Sequence, residues 1–295
     1  MRSIHFISGM PRSGSTLLAA ILRQNPRFRA AMSSPVGTIF NACVGAMGAG
    51  NEFSVFLTEA QKRDILMGIF DAYYREDDPD TVIFDTNRSW TSRLPALKLL
   101  FPQAKVICCV RNPAWILDSV ERLVRRNALD VSRLFNNDGE RASVFSRAEA
   151  LAQRNRMIGF AHSALKEAYF SDEAGMMLLV DYDLLTARPE DTLRLIYRFI
   201  DEDWFAHDFE HLEYDAEEFD ARLQTPGLHR VSGPVRHQPR RTILPPELFR
   251  QFSDLAFWIG ETRTLANAIL PQSQQAAVKS TPGEDQVTGQ SRVSP

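Results

Sequence analysis

The segment Gly9-Met10-Pro11-Arg12-Ser13-Gly14-Ser15-Thr16 is the first place where residue types and spacing point to chemistry. Its glycines have the G-x-x-x-x-G spacing of a phosphate loop, set after an apolar run and before Leu17, Leu18, Ile21 and Leu22 at helical spacing. A strand, a glycine turn and a helix start together present N–H groups that hold an anion without help from net charge. Ser15 stands where loops that hydrolyse ATP or GTP carry lysine, and Arg12 supplies the cation instead. That exchange argues against magnesium-assisted transfer of a γ-phosphoryl group. A second pair lies downstream: Arg111 leaves an apolar run, and Ser119 follows eight residues later on the next helix. An arginine at a strand's end and a hydroxyl two helical turns on can converge on one phosphate.

Pro11-Arg12-Ser13-Gly14-Ser15-Thr16 resembles the PRSGTT-type loop of sulfotransferases that use 3′-phosphoadenosine 5′-phosphosulfate (PAPS), most closely the protein-tyrosine and bacterial members. The resemblance implies a three-layer α/β/α, P-loop NTPase-like fold with a mostly parallel central sheet. It assigns Pro11, Arg12, Ser13, Gly14, Ser15 and Thr16 to the 5′-phosphosulfate, and Arg111 with Ser119 to the 3′-phosphate that distinguishes PAPS from ATP. Leu100-Phe101-Pro102-Gln103-Ala104-Lys105 is similar to the family's LFPNAK-type segment, in register with the second pair. Val180-Asp181-Tyr182-Asp183-Leu184-Leu185 with Pro189 resembles the V-x-Y-E-x-L element, whose tyrosine lies near the adenosine. Tyr182 can pack on the base or simply close the sheet. The basic stretch from Leu228 through Arg230, Arg236, Arg240 and Arg241 is expected either to fold over the donor, with Arg230 among its ligands, or to stay a solvated loop.

Sulfuryl transfer needs a base for the acceptor, in-line alignment and stabilisation of charge on the leaving phosphate. Arg12 and the loop suit the last task. The glutamate base of the tyrosine-sulfating branch is missing, because Met32-Ser33-Ser34-Pro35 occupies its place. Asp85, at a strand's carboxyl end where open α/β sheets bind ligands, is the substitute base, and Arg88 the substitute for a family lysine. Asp85 can equally cap a helix or bridge to Arg88. His229 and His5 are further candidates, although His5 fits better as packing within the first strand.

The elements that must position these groups alternate. Strands are predicted over Ile4–Ser8, Thr81–Phe84, Lys105–Val110 and Met176–Val180, with helices over Thr16–Gln24, Glu59–Tyr74, Arg93–Phe101, Ala114 to about Arg126, Ser146–Phe170 and Pro189–Ile200. Lys105–Val110 is apolar without alternation, as in a strand covered on both faces of a parallel sheet. Alternation implies right-handed βαβ crossovers. Residues 1–270 are read as one sulfotransferase domain and 271–295, rich in Gln, Ser, Thr and Gly, as a disordered tail. The stretches 34–51 and 129–145 are expected to line the acceptor cleft.

Composition sets the outer limits. With 34 Lys+Arg against 37 Asp+Glu in 295 residues, no global basic field exists to hold nucleic acid, so any anion site is local. Three cysteines, two of them adjacent, suit neither a disulfide framework nor a zinc site, so a cytoplasmic protein is expected. No run approaches the ~18 apolar residues of a membrane span. No metal is expected. The acceptor is a small molecule, a glycan or a peptide tyrosine. The rival functions are a P-loop kinase or NTPase and a catalytically silent nucleotide-binding protein.

Overall fold

A computed structural model describes residues 3–129, 132–260 and 263–271. In chain order its first half runs β1 (Ile4–Gly9), α1 (Ser15–Leu22), β2 (Phe28–Ala30), α2 (Val36–Ala46), α3 (Glu59–Tyr73), β3 (Val82–Thr86), α4 (Leu94–Leu100), β4 (Val106–Val110) and α5 (Pro113–Arg126). There follow α6 (Asp138–Arg141), α7 (Val144–Ala152), α8 (Met157–Tyr169), β5 (Met177–Asp181), α9 (Tyr182–Ala187) and α10 (Pro189–Ile200). The last part comprises β6 (Leu212–Tyr214), α11 (Glu217–Arg222), β7 (Val231–Gly233), α12 (Pro246–Ser253) and β8 (Asn267–Ile269).

Six strands form one sheet in the order β2-β3-β1-β4-β5-β8, and every pairing is parallel. Parallel strands need helical crossovers, which cover both faces and bury the central strands completely. β1, β3, β4 and β5 are accordingly buried at every position. Side chains alternate between faces along each strand. Phe6 therefore joins Phe70, Trp90 and Phe101 in one core, while Ile7 joins Leu18, Leu22 and Phe84 in the other. The small β6–β7 hairpin stands apart from the main sheet.

The structure corrects the sequence reading in two respects. The helix expected over Ser146–Phe170 is two helices, because Gln153 is extended (ψ 146°) and its carbonyl lies where a Cβ on Gly159 would stand, 2.2 Å away. Arg156 at this break pairs with Glu140 at 2.9 Å, which replaces helical continuity by a long-range contact. β2 and β8 were not expected; each is three residues long at a sheet edge, too short for a periodic pattern. The tail expected from about Pro271 lies, beyond that residue, outside the described residues. Cys108 and Cys109 are buried free thiols in β4, and burial pushes Cys109 up to about 12.

The consequence for function is geometric. The loops after β3, β1, β4 and β5 emerge side by side at the carboxyl edge of the sheet, and they carry Arg88, Arg12, Arg111 and Tyr182 respectively.

Candidate functional site

The phosphate loop is closed by two glycines and one hidden hydroxyl. Gly9 has φ +102°, and a Cβ there would meet the Cys109 carbonyl oxygen at 2.3 Å, so only glycine lets β1 turn this close to β4. Gly14 has φ +95°, and its Cβ would lie 2.9 Å from Cδ2 of Tyr182. Ser13 is fully buried; its hydroxyl donates to the carbonyls of Met10 and, at 2.8 Å, Cys109. The side chain of Ser13 thus locks the loop and does not line the cleft, which leaves only its backbone for the donor role expected of it. Pro11, Arg12, Gly14, Ser15 and Thr16 do line a cleft of about 950 Å³. α1 begins at Ser15 without a side-chain cap and without an acidic residue in its first turn. Its first N–H donors therefore lack the internal partners that most helices provide.

Residues 107 positions apart meet over this loop. Arg12, itself in the left-handed region at φ +57°, donates from Nε to Oγ of Ser119 at 3.3 Å and from Nη1 to the carbonyl of Leu228. Arg111 lies with its guanidinium 4.1 Å from the centre of the Tyr182 ring. Its Nε is buried and has no hydrogen-bond partner among the described residues. A buried donor left unpaired costs roughly 1–3 kcal/mol, so such a group marks a place where an acceptor is wanted. Burial lowers the affinity of both guanidinium groups for their proton, and the charge of Arg111 lowers that of Arg12 further. Arg12, Arg111, Ser119 and Tyr182 all line the one cleft, and Ser119 Oγ accepts from Arg12.

Asp85 does not belong to the cleft. Its side chain is fully buried, and its carboxylate accepts from Oγ of Ser34 at 2.5 Å, Oη of Tyr74 at 2.6 Å and Nε1 of Trp90 at 2.8 Å. Burial raises its proton affinity, and the three hydrogen bonds pull it back. Both oxygens are committed to tying the loop before α2, the end of α3 and the turn after β3 together. The role of base is therefore withdrawn from Asp85, and so is a bridge to Arg88. Strand parity explains the error: Asp85 points into the helical layer opposite Phe6, whereas its neighbour Thr86 lines the cleft. Arg88 does reach the cleft, deep enough that burial lowers its proton affinity.

A better-placed proton acceptor comes from the C-terminal part. His229 lines the cleft, and its Nδ1 lies 2.6 Å from Oδ1 of Asp220, whose Oδ2 accepts the His229 backbone N–H at 2.8 Å. Asp220 is fully buried, and the ring of Phe219 meets the imidazole edge-on at 5.5 Å. A carboxylate on Nδ1–H fixes the tautomer that leaves Nε2 free to take a proton. Burial and the charges of Arg12 and Arg88 lower the His229 pKa, against the opposing pull of Asp220. His229 was among the sequence candidates, but Asp220 was not, and no spacing marks the pair. His5 is enclosed in β1, accepts from the Lys105 N–H at 3.1 Å, and is lowered to about 4, first by burial and then by Lys105.

The remaining expectations divide. Arg230 lines the cleft, exposed, 3.8 Å from Asp215, and residues 228–240 run along one wall. Asp118 organises that wall by pairing with Arg122 at 2.9 Å and Arg240 at 2.8 Å and by accepting the Ile243 N–H. Of the two stretches expected to line an acceptor cleft, 34–51 contributes nothing and 129–145 contributes Arg133 and Leu134, while Met32 and Ser33 join from the loop after β2. Among the described residues no group of three or more His, Cys, Asp or Glu could hold a metal ion, and no helix is long and apolar enough to cross a membrane.

Comparison with known proteins follows this geometry. A family model described as "Sulfotransferase family" matches residues 5–206. Protein-tyrosine sulfotransferase 1 of Danio rerio is 25% identical over 206 residues, which are 68% of this chain and 53% of that protein. The chain thus spans about half the length of that curated relative. Among solved structures, the sulfotransferase domain from the curacin biosynthetic pathway has a TM-score of 0.51 at 15% identity, covering 86% of this chain and 97% of that one. A sulfotransferase from Alicyclobacillus acidocaldarius has a TM-score of 0.48 at 16% identity, covering 76% and 92%. The likeness to the curacin domain establishes the three-layer α/β/α, P-loop-like architecture.

Proposed function

Since the chain belongs to the sulfotransferase family, we propose that it transfers a sulfuryl group from PAPS to a hydroxyl, or an amine, of an acceptor by in-line displacement with a general base. The observation that carries the donor assignment is the buried, unpartnered Nε of Arg111 beside Tyr182, in one cleft with the phosphate loop. The residues present fit the nucleotide. The N–H groups of the loop and of the start of α1, with Arg12, Ser15 and Thr16, would hold the 5′-phosphosulfate; Arg111 and Ser119 would hold the 3′-phosphate. Tyr182, already stacked on Arg111, would border the base. Arg230 and the rest of the basic wall would close the phosphate side. Residues 1–270 would form the working unit.

The donor supplies an activated sulfuryl group on a phosphate leaving group. The acceptor oxygen forms its bond to sulfur as the bond from sulfur to the phosphate oxygen breaks. Nε2 of His229 takes the acceptor proton, and the electron pair of the broken bond stays on the 5′-phosphate. Asp220 holds the imidazole in the accepting tautomer, and the same carboxylate stabilises the imidazolium that results. Arg12 and the loop N–H groups meet the charge that grows on the phosphate, preorganised for it by the fold. Arg88, following β3 next to the loop, would steady the sulfuryl oxygens in flight. Burial lowers the His229 pKa, which favours the neutral form a base requires.

Two rivals lose ground on particular residues. A kinase or NTPase reading needed Asp85 as the acidic residue after a strand, and that carboxylate is enclosed by Ser34, Tyr74 and Trp90. A silent binder has no use for an imidazole oriented by a buried carboxylate inside the nucleotide cleft. Incubation with PAPS and a metabolite extract, read by mass spectrometry for products heavier by one sulfo group, tests the reading. Such products are expected with the native chain and absent with His229→Ala. Tight binding of 3′-phosphoadenosine 5′-phosphate (PAP) without any sulfated product would favour the silent binder instead.

A further inference from the structure

The cleft has more cationic charge than the donor's position accounts for. Among the described residues nine arginines line it and no carboxylate does, in a chain whose acidic residues outnumber its basic ones. Arg122 and Arg240 share Asp118, Arg230 has Asp215 and Arg236 has Glu210. The other five are Arg12, Arg88, Arg111, Arg126 and Arg133, and none makes an ion pair among the described residues. Arg12 is destabilised further by Arg111 and Arg126, so these cations repel one another in the free protein.

Sheet order says which of them the donor can reach. Strands stand about 4.8 Å apart, so the loop after β3 lies roughly 10 Å from the loop after β4 and roughly 14 Å from the one after β5. The nucleoside, bordered by Tyr182 with its 3′-phosphate on Arg111, would occupy the β4–β5 side. Arg88 marks the opposite side, where the acceptor must enter. The 3₁₀ turn that Arg88 begins packs against α8, and α8 begins at Met157. Arg156, next to Met157, donates to the carbonyl of Leu134 at 2.7 Å, which ties Arg133 and Leu134 to the same end. Leu134 and Met157 are half-buried on the core and line the cleft there. Arg126, from the last turn of α5, lines it too.

Resting on the sulfotransferase reading, we propose that the acceptor is a small amphipathic anion, its apolar body against Leu134 and Met157 and its carboxylate or phosphate paired with Arg126 and Arg133. Arg133, next to Leu134 in the chain, and Arg126, lining the same cleft, are two guanidinium groups without an ion pair among the described residues, and with the apolar wall they match a molecule with an apolar body and a terminal anion. Arginine suits this because its planar fork meets carboxylate and phosphate with two parallel hydrogen bonds. The reacting hydroxyl would then project toward Arg88 and His229.

The test uses two fluorescent probes on protein saturated with PAP, which occupies the donor side. 8-Anilinonaphthalene-1-sulfonate is an amphipathic anion, and N-phenyl-1-naphthylamine is the same ring system without the sulfonate. The anion is expected to bind at least tenfold more tightly than the neutral probe, with a ratio falling below about threefold in Arg126→Gln/Arg133→Gln. Octanoate or octyl phosphate is expected to displace the anion at lower concentration than octanol, and the better of the two identifies the anionic group. Equal affinity for the two probes overturns the proposal, as does a ratio unchanged by the double substitution or displacement by octanol as readily as by either anion. PAP affinity, measured separately in the same variants, is expected to change by less than threefold; failure of the native chain to bind PAP would instead refute the donor assignment.

Discussion

Arg111→Ala isolates the contribution of the second anion site. Adenosine 5′-phosphate and PAP differ only in the 3′-phosphate, so the ratio of their dissociation constants measures the grip on that group. The Arg111 guanidinium has a buried Nε without a partner and a face on Tyr182. A charge-assisted hydrogen bond contributes about 1.5–3 kcal/mol. At 1.36 kcal/mol per decade, its loss should lower the ratio by about 10- to 150-fold. Removing the Arg111 charge also weakens the field at the 5′ group, and Tyr182 loses a stacked cation of roughly 0.5–2 kcal/mol. Both effects act on the two nucleotides alike and cancel in the ratio. Isothermal titration calorimetry of native and variant protein gives all four constants. An unchanged ratio, with the variant folded, would refute the reasoning, because Arg111 would then not touch the 3′-phosphate.

Other consequences are testable in the same way. Asp220→Asn should lower turnover of PAPS by about 10²- to 10⁴-fold through loss of the oriented base, with PAP affinity within threefold; normal turnover would remove the dyad. Because Asp220 raises the His229 pKa against burial, the acidic limb of the pH–rate profile should move to lower pH in the residual activity of that variant; a limb moved to higher pH would contradict the sign. Asp85→Ala should leave the buried donors of Tyr74 and Trp90 unpaired, costing roughly 1–3 kcal/mol for each, free the half-buried Ser34 hydroxyl and lower the denaturation midpoint, while turnover per folded molecule persists. Gly14→Ala should weaken PAP binding more than fivefold in calorimetry, because φ +95° costs a side chain roughly 1–2 kcal/mol and the new methyl meets Tyr182.

The parts of this site that were legible in the sequence are local. The loop from Gly9 to Thr16 is a contiguous word, and Arg111 with Ser119 spans one strand end and two turns of one helix, so spacing alone places each pair. Their meeting, through Arg12 Nε and Ser119 Oγ, follows from β1 and β4 being neighbours, a strand order that the alternation of strands and helices does not fix. The parallel sheet with both faces covered was likewise written in the unbroken apolar run of β4. Asp85 shows where such reading fails. A strand's end predicts proximity to the cleft, but the face on which a side chain leaves depends on register, and one residue separates the cleft-lining Thr86 from the enclosed Asp85. Ser13 fails for a related reason, since a hydroxyl in a tight loop serves the loop's own carbonyls before it serves a ligand. The partnership of His229 with Asp220 was illegible because neither residue sits in a periodic element long enough to fix its direction. β8, three residues at the sheet edge, escaped for want of length.

A single cleft that accommodates a nucleotide with phosphates on both the 3′ and 5′ positions should prefer PAP to ATP. The melting temperature with PAP, compared with that for ATP and magnesium at equal concentration, measures this preference. At ~100 times its dissociation constant a ligand stabilises the folded chain by ~2.7 kcal/mol. A shift of that order is expected with PAP and a much smaller one with ATP and magnesium. Equal shifts, or a larger one with ATP, would contradict it.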